Sequence, residues 1–259
     1  MFSAIWTNSA LRWLAASLLL ALPSTLLPSA LSAAECRQTT FDGARYSLCE
    51  VDMHSEDLRL FLNAPDTDAP LGSFPAIDTM LESEGLTLGF AMNAGMYHSN
   101  RTPVGHYVEN GQQLMRLITN PGPGNFGLLP NGVLCLKKGR ADVIETLRFE
   151  REAPACQYAT QSGPMLVIDG ALHPRFLPDS DSLYIRNGVG TTQDGTRAVF
   201  AISDQPVNFH TFARLFRDHL KLPQALYFDG SISRLYAPDL GRSDLGFPMG
   251  PVVGTVVAR

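Results

Sequence analysis

Short apolar or alternating runs, broken by glycine, proline, asparagine and aspartate, recur along the chain and predict strands. Arg37–Phe41 and Ala44–Glu50 flank Asp42-Gly43, a two-residue hairpin turn signal. Leu58–Leu62 is another strand, followed by the proline-containing loop Asn63–Leu71. Ser73 then caps a helix with Pro75 in its first turn, Ile77, Met80 and Leu81 on one face, and Gly85 at its end. Leu86–Met92 is a strand running into Asn93-Ala94-Gly95-Met96-Tyr97, and Pro103–Gly111 reads as a short strand and turn. Asn120–Gly132 holds four glycines, three prolines and three asparagines in thirteen residues, which makes it a long ordered loop or a lid. Val133–Leu136 and Ala141–Ile144 form a hairpin around Lys137–Arg140. Ala159–Pro164 opens onto the buried strand Met165–Ile168, which Asp169-Gly170 closes. Arg186–Gly190 reads as a polar, glycine-rich loop, and Asp194-Gly195 as a turn into the strand Arg197–Ile202. The clearest helix is Phe209–Leu220, capped by Asn208, with Phe209, Phe212, Ala213, Leu215, Phe216 and Leu220 on its apolar stripe. It delivers the chain to Ala225–Phe228, a short buried strand ending in Asp229-Gly230.

Strands mixed with two clear helices, many hairpin signals, no internal repeat and no second domain boundary predict one α+β domain. Its sheet is expected to be mixed but largely antiparallel, with flanking helices. A doubly wound parallel fold fits less well, because helices do not alternate regularly with strands.

The N-terminus changes the compartment. Arg12 is the one charged residue before Glu35, Trp13–Leu27 is apolar apart from Pro23 and a few small residues, and Ser32-Ala33-Ala34 offers a signal-peptidase site. The uninterrupted apolar run before Pro23 is too short for a membrane span. The expectation is a signal peptide over 1–34 and a mature domain over 35–259, periplasmic or secreted, with no stable membrane span after cleavage. Without Arg12, 19 basic residues face 25 acidic ones, about −6 overall, and no basic cluster stands out, so nucleic acid is excluded as a partner. All four cysteines lie in the mature part, and an even count in an exported chain predicts two disulfides. If Asp42-Gly43 is the hairpin turn, Cys36 and Cys49 fall opposite one another at a non-hydrogen-bonded pair, with Cα atoms about 4.5 Å apart. Cys135 and Cys156 pair by elimination. No cysteine or histidine pair has zinc spacing, so neither a metal nor another cofactor is expected.

Several chemistries have no signature in the sequence: Gly-x-Ser-x-Gly, a Walker loop, Gly-x-Gly-x-x-Gly and His-Glu-x-x-His are all missing. What recurs is a buried strand ending in a polar loop. Asn93 follows one strand and Glu109 another, Gln161, Ser162 and Gly163 precede a third, and Arg186 and Asn187 sit in the glycine-rich segment. Asp229 closes the last strand, with Ser231 and Ser233 after it. Carboxylates and amides bind sugar hydroxyls, arginine binds phosphate bidentately, and two carboxylates serve glycosyl transfer.

The segments Asn93–Tyr97, Gly163–Leu166, Arg186–Gly190 and Phe228–Ser231 occur in the order found in the phosphodiester glycosidase family, which the chain resembles over roughly residues 86–256. That family includes the uncovering enzyme of lysosomal targeting and bacterial proteins linked to exopolysaccharide. The resemblance is strongest to the exported bacterial branch, through Ala159–Leu166, Arg186–Val189 and Leu226–Leu235. It implies an enzyme hydrolysing a sugar-1-phosphodiester in glycan or cell-envelope material, so that the partner is a carbohydrate phosphodiester or a polysaccharide. Asp229 then stands as the carboxylate nearest the anomeric carbon, with Glu109 as a second acid. Arg186 is the expected phosphate clamp, while Asn93, Gln161, Ser162, Gly163, Asn187, Ser231 and Ser233 surround the substrate. Ala94 replaces a glycine of the family's Asn-Gly-Gly-like loop, Asn187-Gly188 replaces the Thr-Ala of its Arg-Thr-Ala-like motif, and Ser231-Ile232-Ser233 replaces the tail of Asp-Gly-Gly-Gly-Ser. The last difference favours the rival reading, a non-catalytic periplasmic polysaccharide-binding protein with a degenerate site.

Overall fold

The computed structural model describes residues 1–4, 34–229 and 232–259. The expected leader therefore lies almost wholly outside the described residues, as does Ser231. In chain order the elements are β1 (Glu35–Phe41), β2 (Ala44–Asp52), β3 (Asp57–Phe61), α1 (Phe74–Glu82), β4 (Leu86–Asn93), β5 (Tyr107–Glu109), β6 (Gln112–Met115), β7 (Gly132–Lys137) and β8 (Arg140–Glu145). They continue with α2 (Thr146–Glu152), β9 (Tyr158–Ser162), β10 (Met165–Ile168), β11 (Ala171–Leu172), β12 (Asn187–Thr191) and β13 (Arg197–Ser203). Then come α3 (Phe209–Arg214), which runs on as a π-helical turn over Leu215–His219, β14 (Gln224–Tyr227), β15 (Leu235–Ala237), β16 (Arg242–Ser243) and β17 (Val252–Ala258).

The strands form three sheets rather than one, and every pairing is antiparallel. The largest runs β1-β2-β13-β12-β14-β10-β11; the others run β16-β15-β4-β17-β3 and β6-β5-β9-β7-β8. The three meet around one core, where Val51, Phe90, Met92, Leu134, Phe200, Leu226, Phe228 and Val253 pack together. On the outer face of the large sheet, α3 packs Phe212 and Phe216 over Leu166, Val199, Ala225 and Tyr227. Successive β14 residues thus bury alternately on the two faces, which is why Ala225–Phe228 reads as one apolar run. On the second sheet, α1 lays Phe74, Ile77 and Leu81 against Phe61, Leu88, Val252 and Val256.

The first hairpin has the expected register. Asp42 and Gly43 turn with φ of 51° and 76°, Cys36 pairs with Cys49, and that disulfide spans Cα atoms 4.1 Å apart. Cys135–Cys156 is the second disulfide.

Other expectations change. Arg186–Gly190 is not a loop: from Asn187 on it is β12, a central strand between β13 and β14. Its glycines serve close packing, since a Cβ on Gly188 would lie 2.5 Å from the Leu226 carbonyl oxygen. One on Gly190 would lie 2.7 Å and 2.8 Å from the Leu222 and Phe216 side chains. The C-terminal Val252–Ala258, given no element by the sequence reading, is the strand between β4 and β3. Helix α2 also escaped that reading, because Glu145 rather than a hydroxyl residue caps it, accepting from the Leu147 and Arg148 amides.

Candidate active site

Where β14 leaves the large sheet, its last backbone groups are fixed from two neighbouring strands. Asn187 holds two consecutive amides: its backbone carbonyl accepts from Phe228 N at 3.1 Å and its side-chain Oδ1 from Asp229 N at 3.2 Å. Ser162 Oγ, at the end of β9, donates to the Phe228 carbonyl at 2.6 Å. Asn187 Nδ2 donates to Asn93 Oδ1, which also accepts from Arg234 N at 2.9 Å. Ser233 Oγ lies 3.0 Å from the Asp229 carbonyl and 3.1 Å from that of Ile185. Four separate stretches of sequence thus converge on the Phe228-Asp229 step. Asn93, Ser162 and Asn187 are wholly buried, so their polar atoms position Asp229 from behind.

Other residues singled out from the sequence lie elsewhere or face inward. Gln161 points to the other side of β9, accepting from the His106 and Ile118 amides and donating to the Ile118 carbonyl and Thr146 Oγ1. Gly163 allows a tight approach, since a Cβ there would meet Asn131 Cβ at 2.6 Å. Glu109 lines neither cleft beside Asp229: its carboxylate accepts from Tyr107 Oη at 2.8 Å, and burial raises its pKa, partly countered by that bond. Arg186 is 1 % exposed. Its Nε donates to the Val207 carbonyl at 2.7 Å and one Nη to that of Ser182 at 2.8 Å, while its face lies 3.6 Å from the Phe209 ring centre. Burial lowers its pKa, and the guanidinium is spent on holding the 182–186 segment against α3.

Asp229 is the shared wall of two clefts, which also have Met96 in common. The first, about 420 Å³, is lined by Asn125, Ser182, Tyr184 and Tyr227. The second, about 380 Å³, is lined by Tyr97, His98, Arg101 and Ile232. A larger cleft of about 560 Å³ lies by His54, Glu56, Lys137 and Tyr158 and contains none of the converging residues. Each cleft at Asp229 carries a tyrosine whose hydroxyl feels that carboxylate. Burial first, then the Asp229 charge, raises the Tyr97 pKa, with Arg101 and Arg234 opposing. For Tyr227, burial and Asp229 also raise it, with Arg186 opposing. Tyr97 Oη faces the Gly250 amide and Tyr227 Oη the Arg186 guanidinium, and neither contact is a well-formed hydrogen bond. Of five buried side-chain polar atoms without a partner among the described residues, three belong to Asn93, Tyr97 and Tyr227. Such orphans are rare in folded proteins, and each calls for an explanation. No cluster of three or more metal-ligating side chains occurs among the described residues.

The sequence reading assigned no role to Tyr97, Arg101, Tyr184, Tyr227 or Arg234. The available signal was period-two alternation: Tyr227 is two residues from Asp229 on the same strand exit, and Tyr97 ends the Asn93 loop.

An acid between two polar clefts at converging strand ends suits a glycoside-cleaving protein. A family model described as phosphodiester glycosidase matches residues 87–244, more than half of the chain, and the chain belongs to that family. It is 36% identical over 186 residues to the uncharacterized protein YigE of Escherichia coli (strain K12), covering 72% of each chain. Among solved structures, it resembles a hypothetical protein from Synechocystis (TM-score 0.57, 12% identity), covering 86% of this chain and spanning 62% of that one. It also resembles the catalytic domain of zebrafish N-acetylglucosamine-1-phosphodiester alpha-N-acetylglucosaminidase, auto-inhibited by its pro-peptide (TM-score 0.53, 11% identity), covering 90% and 84% of the two chains. At these identities the two structures speak for the fold. Family membership places the protein among glycosidase-type proteins acting on carbohydrate. Among the described residues, no helix is long and apolar enough to cross a membrane.

Proposed function

We propose that the protein is an exported hydrolase that splits a sugar-1-phosphodiester between the anomeric carbon and the phosphate oxygen, in the periplasm or outside the cell. The observation that carries this is Asp229, pinned by Asn187 and set in the wall between two clefts whose buried donors lack partners. The anomeric C–O bond breaks with its electron pair on the phosphate oxygen, and a water oxygen bonds to the anomeric carbon. The water's surplus proton balances the charge of the new phosphate monoester. Phosphate is a good leaving group, so a strong general acid is unnecessary. The Asp229 carboxylate supports positive charge building at the sugar carbon.

The test is release of product from a chromogenic N-acetylglucosamine-1-phosphodiester. Asp229→Asn, folded by circular dichroism, should lose roughly 10²- to 10³-fold in kcat, the range for removing one electrostatic stabiliser. A near wild-type rate in that variant would remove Asp229 from the chemistry. Ile232, whose branched side chain lines the second cleft, favours a second reading, the polysaccharide-binding protein without turnover. Saturable glycan binding with no product from wild-type protein would favour that reading.

A further inference from the structure

The hairpin that follows the Asn93 loop carries an arginine where its backbone calls for glycine. Its base is fixed: Tyr97 bridges to Pro103, and Val104 N donates to the Met96 carbonyl at 2.9 Å. Gly250 packs on the Tyr97 ring, so closely that a Cβ there would lie 2.4 Å from Cγ. At the tip, His98 N donates to the Thr102 carbonyl and Arg101 N to the His98 carbonyl, each at 2.8 Å. These two bonds enclose the loop Ser99-Asn100-Arg101. The last residue of such a three-residue loop takes left-handed backbone and is ordinarily glycine. Here it is Arg101, with φ of 73°.

The turn does not need that side chain. Asn100 Oδ1 accepts from the Thr102 amide at 3.2 Å and from the Thr102 hydroxyl at 2.8 Å, which holds the tip without it. Of seven non-glycine residues with positive φ among the described residues, four are aspartate or asparagine, whose short side chains tolerate that backbone. Ala153 caps α2, and Lys221 follows the π-helical turn. Arg101 alone puts a long cationic side chain on a hairpin tip at such a position. Strain of this kind persists where it serves a site. The residue is half-buried, its guanidinium lies 5.5 Å from the Tyr97 ring centre, and it forms no ion pair among the described residues. It lines the cleft of about 380 Å³ that Asp229 also walls, whereas the other cleft at Asp229 has no cationic side chain on its wall among the described residues.

We propose that Arg101 is the residue that meets the phosphoryl oxygens of the substrate, presented by a hairpin tip that bears backbone strain to do so. This rests on the phosphodiester reading of the site and deepens it. The phosphate contact moves from Arg186, whose guanidinium is spent on two carbonyls and the Phe209 ring, to Arg101. A planar guanidinium donates twice to one phosphoryl group. A phosphoryl group held there occupies the cleft that Asp229 walls, which brings the bond to be broken up to the carboxylate.

Calorimetric titration of inorganic phosphate into the full-length mature protein tests this without any turnover, and urea denaturation of the same samples reads the strain. Wild type should bind phosphate saturably. Arg101→Gly should weaken it roughly tenfold or more, the scale for losing one hydrogen-bonded charge, while the urea midpoint stays level or rises because glycine accepts the left-handed backbone. Arg101→Lys keeps the charge without the fork and should weaken phosphate less than Arg101→Gly does. Unchanged phosphate affinity in Arg101→Gly, or no saturable phosphate binding by wild type, overturns the proposal. So does a midpoint below that of wild type, which would make the side chain a brace for the hairpin. Free glucuronate, titrated in parallel, gives the carboxylate alternative: Arg101-dependent binding of glucuronate without phosphate also overturns it. Arg101-dependent phosphate binding in a protein that releases no product from the chromogenic diester leaves the seat standing and removes the hydrolase reading. Turnover of that diester by Arg101→Gly with an unchanged KM does the opposite.

Discussion

Asn187 is the residue through which the fold acts on Asp229, and replacing it with alanine separates positioning from substrate contact. The side chain is wholly buried and makes two hydrogen bonds, accepting from Asp229 N at 3.2 Å and donating to Asn93 Oδ1. Its removal forfeits both, at about 1 kcal/mol each, and leaves the Asp229 amide without its acceptor, so the total loss is about 2–4 kcal/mol. A domain of this size typically has about 5–15 kcal/mol of stability, so Asn187→Ala should fold. The Phe228 amide keeps its bond to the Asn187 backbone carbonyl, which confines the change to Asp229. A misplacement of about 1 Å at a reacting group costs on the order of 10²-fold in rate, so kcat should fall by that order while KM moves less than about threefold. Urea denaturation and steady-state kinetics on one preparation provide both readouts. Asn187→Asp should do worse at pH 8 than at pH 5. Its carboxylate can still accept from Asp229 N, but only its protonated form can donate to Asn93, and burial opposes the charged form. A stability loss under about 0.5 kcal/mol, with a raised KM and unchanged kcat, would show that Asn187 touches substrate and would refute the positioning assignment.

Other consequences follow from the same geometry. Arg186→Lys keeps the charge but not the planar fork that reaches Val207 and Ser182 over Phe209; thermal unfolding should show a stability loss of roughly 2 kcal/mol or more. Glu56, away from the site, has its pKa raised to about 7, chiefly by burial, with the Asp52 and Glu50 charges adding and the Asp52 amide opposing. The folded state therefore holds this proton more tightly than the unfolded chain does, and stability should decline as pH rises from about 4.5 to about 7. The decline should be at most about 2 kcal/mol after solvent screening, and absent in Glu56→Gln when denaturation is followed at both pH values. Replacing Cys36 and Cys49 by alanine opens a closure spanning 13 residues and should cost about 3 kcal/mol in urea denaturation. Gly190→Ala should destabilise by at least about 1 kcal/mol, because its methyl must displace Phe216 or Leu222.

The parts of this fold that were legible in the sequence are those set by local chemistry. Asp42-Gly43 fixes its hairpin because left-handed backbone at both positions suits few residue pairs, and the cysteine pairing follows from that register. The helix expected over Phe209–Leu220 and the strand at Ala225 likewise lie on stretches whose apolar pattern is unambiguous, although the second half of that helix, Leu215–His219, is π-helical. Long-range competition was not legible. Asn187-Gly188-Val189-Gly190 has loop composition, yet it forms a central strand because the Leu226 carbonyl, Leu222 and Phe216 press so close that only glycine fits. Val252–Ala258 carries four β-branched valines and a threonine, and its place between β4 and β3 depends on partners some 160 to 200 residues earlier.

The same division explains the candidate site. Polar residues at strand ends suggested a ring of ligand contacts, but a strand end in a three-sheet core must also satisfy its own last amides and carbonyls. At the exit of β14 those groups are Phe228 N, Phe228 O and Asp229 N, and Asn187 and Ser162 satisfy them. The Asn187 amide and the Ser162 hydroxyl are therefore consumed in holding the backbone, with Asn93 Oδ1 bracing Asn187 from the second sheet. Three buried polar atoms beside that step, Asn93 Nδ2 and the Tyr97 and Tyr227 hydroxyls, keep no hydrogen-bond partner among the described residues. Burial of unsatisfied donors costs stability, and their gathering beside one carboxylate sets this strand end apart. A phosphodiester carries oxygens that accept from donors of this kind, in keeping with the proposed substrate and with the phosphodiester glycosidase family to which the chain belongs.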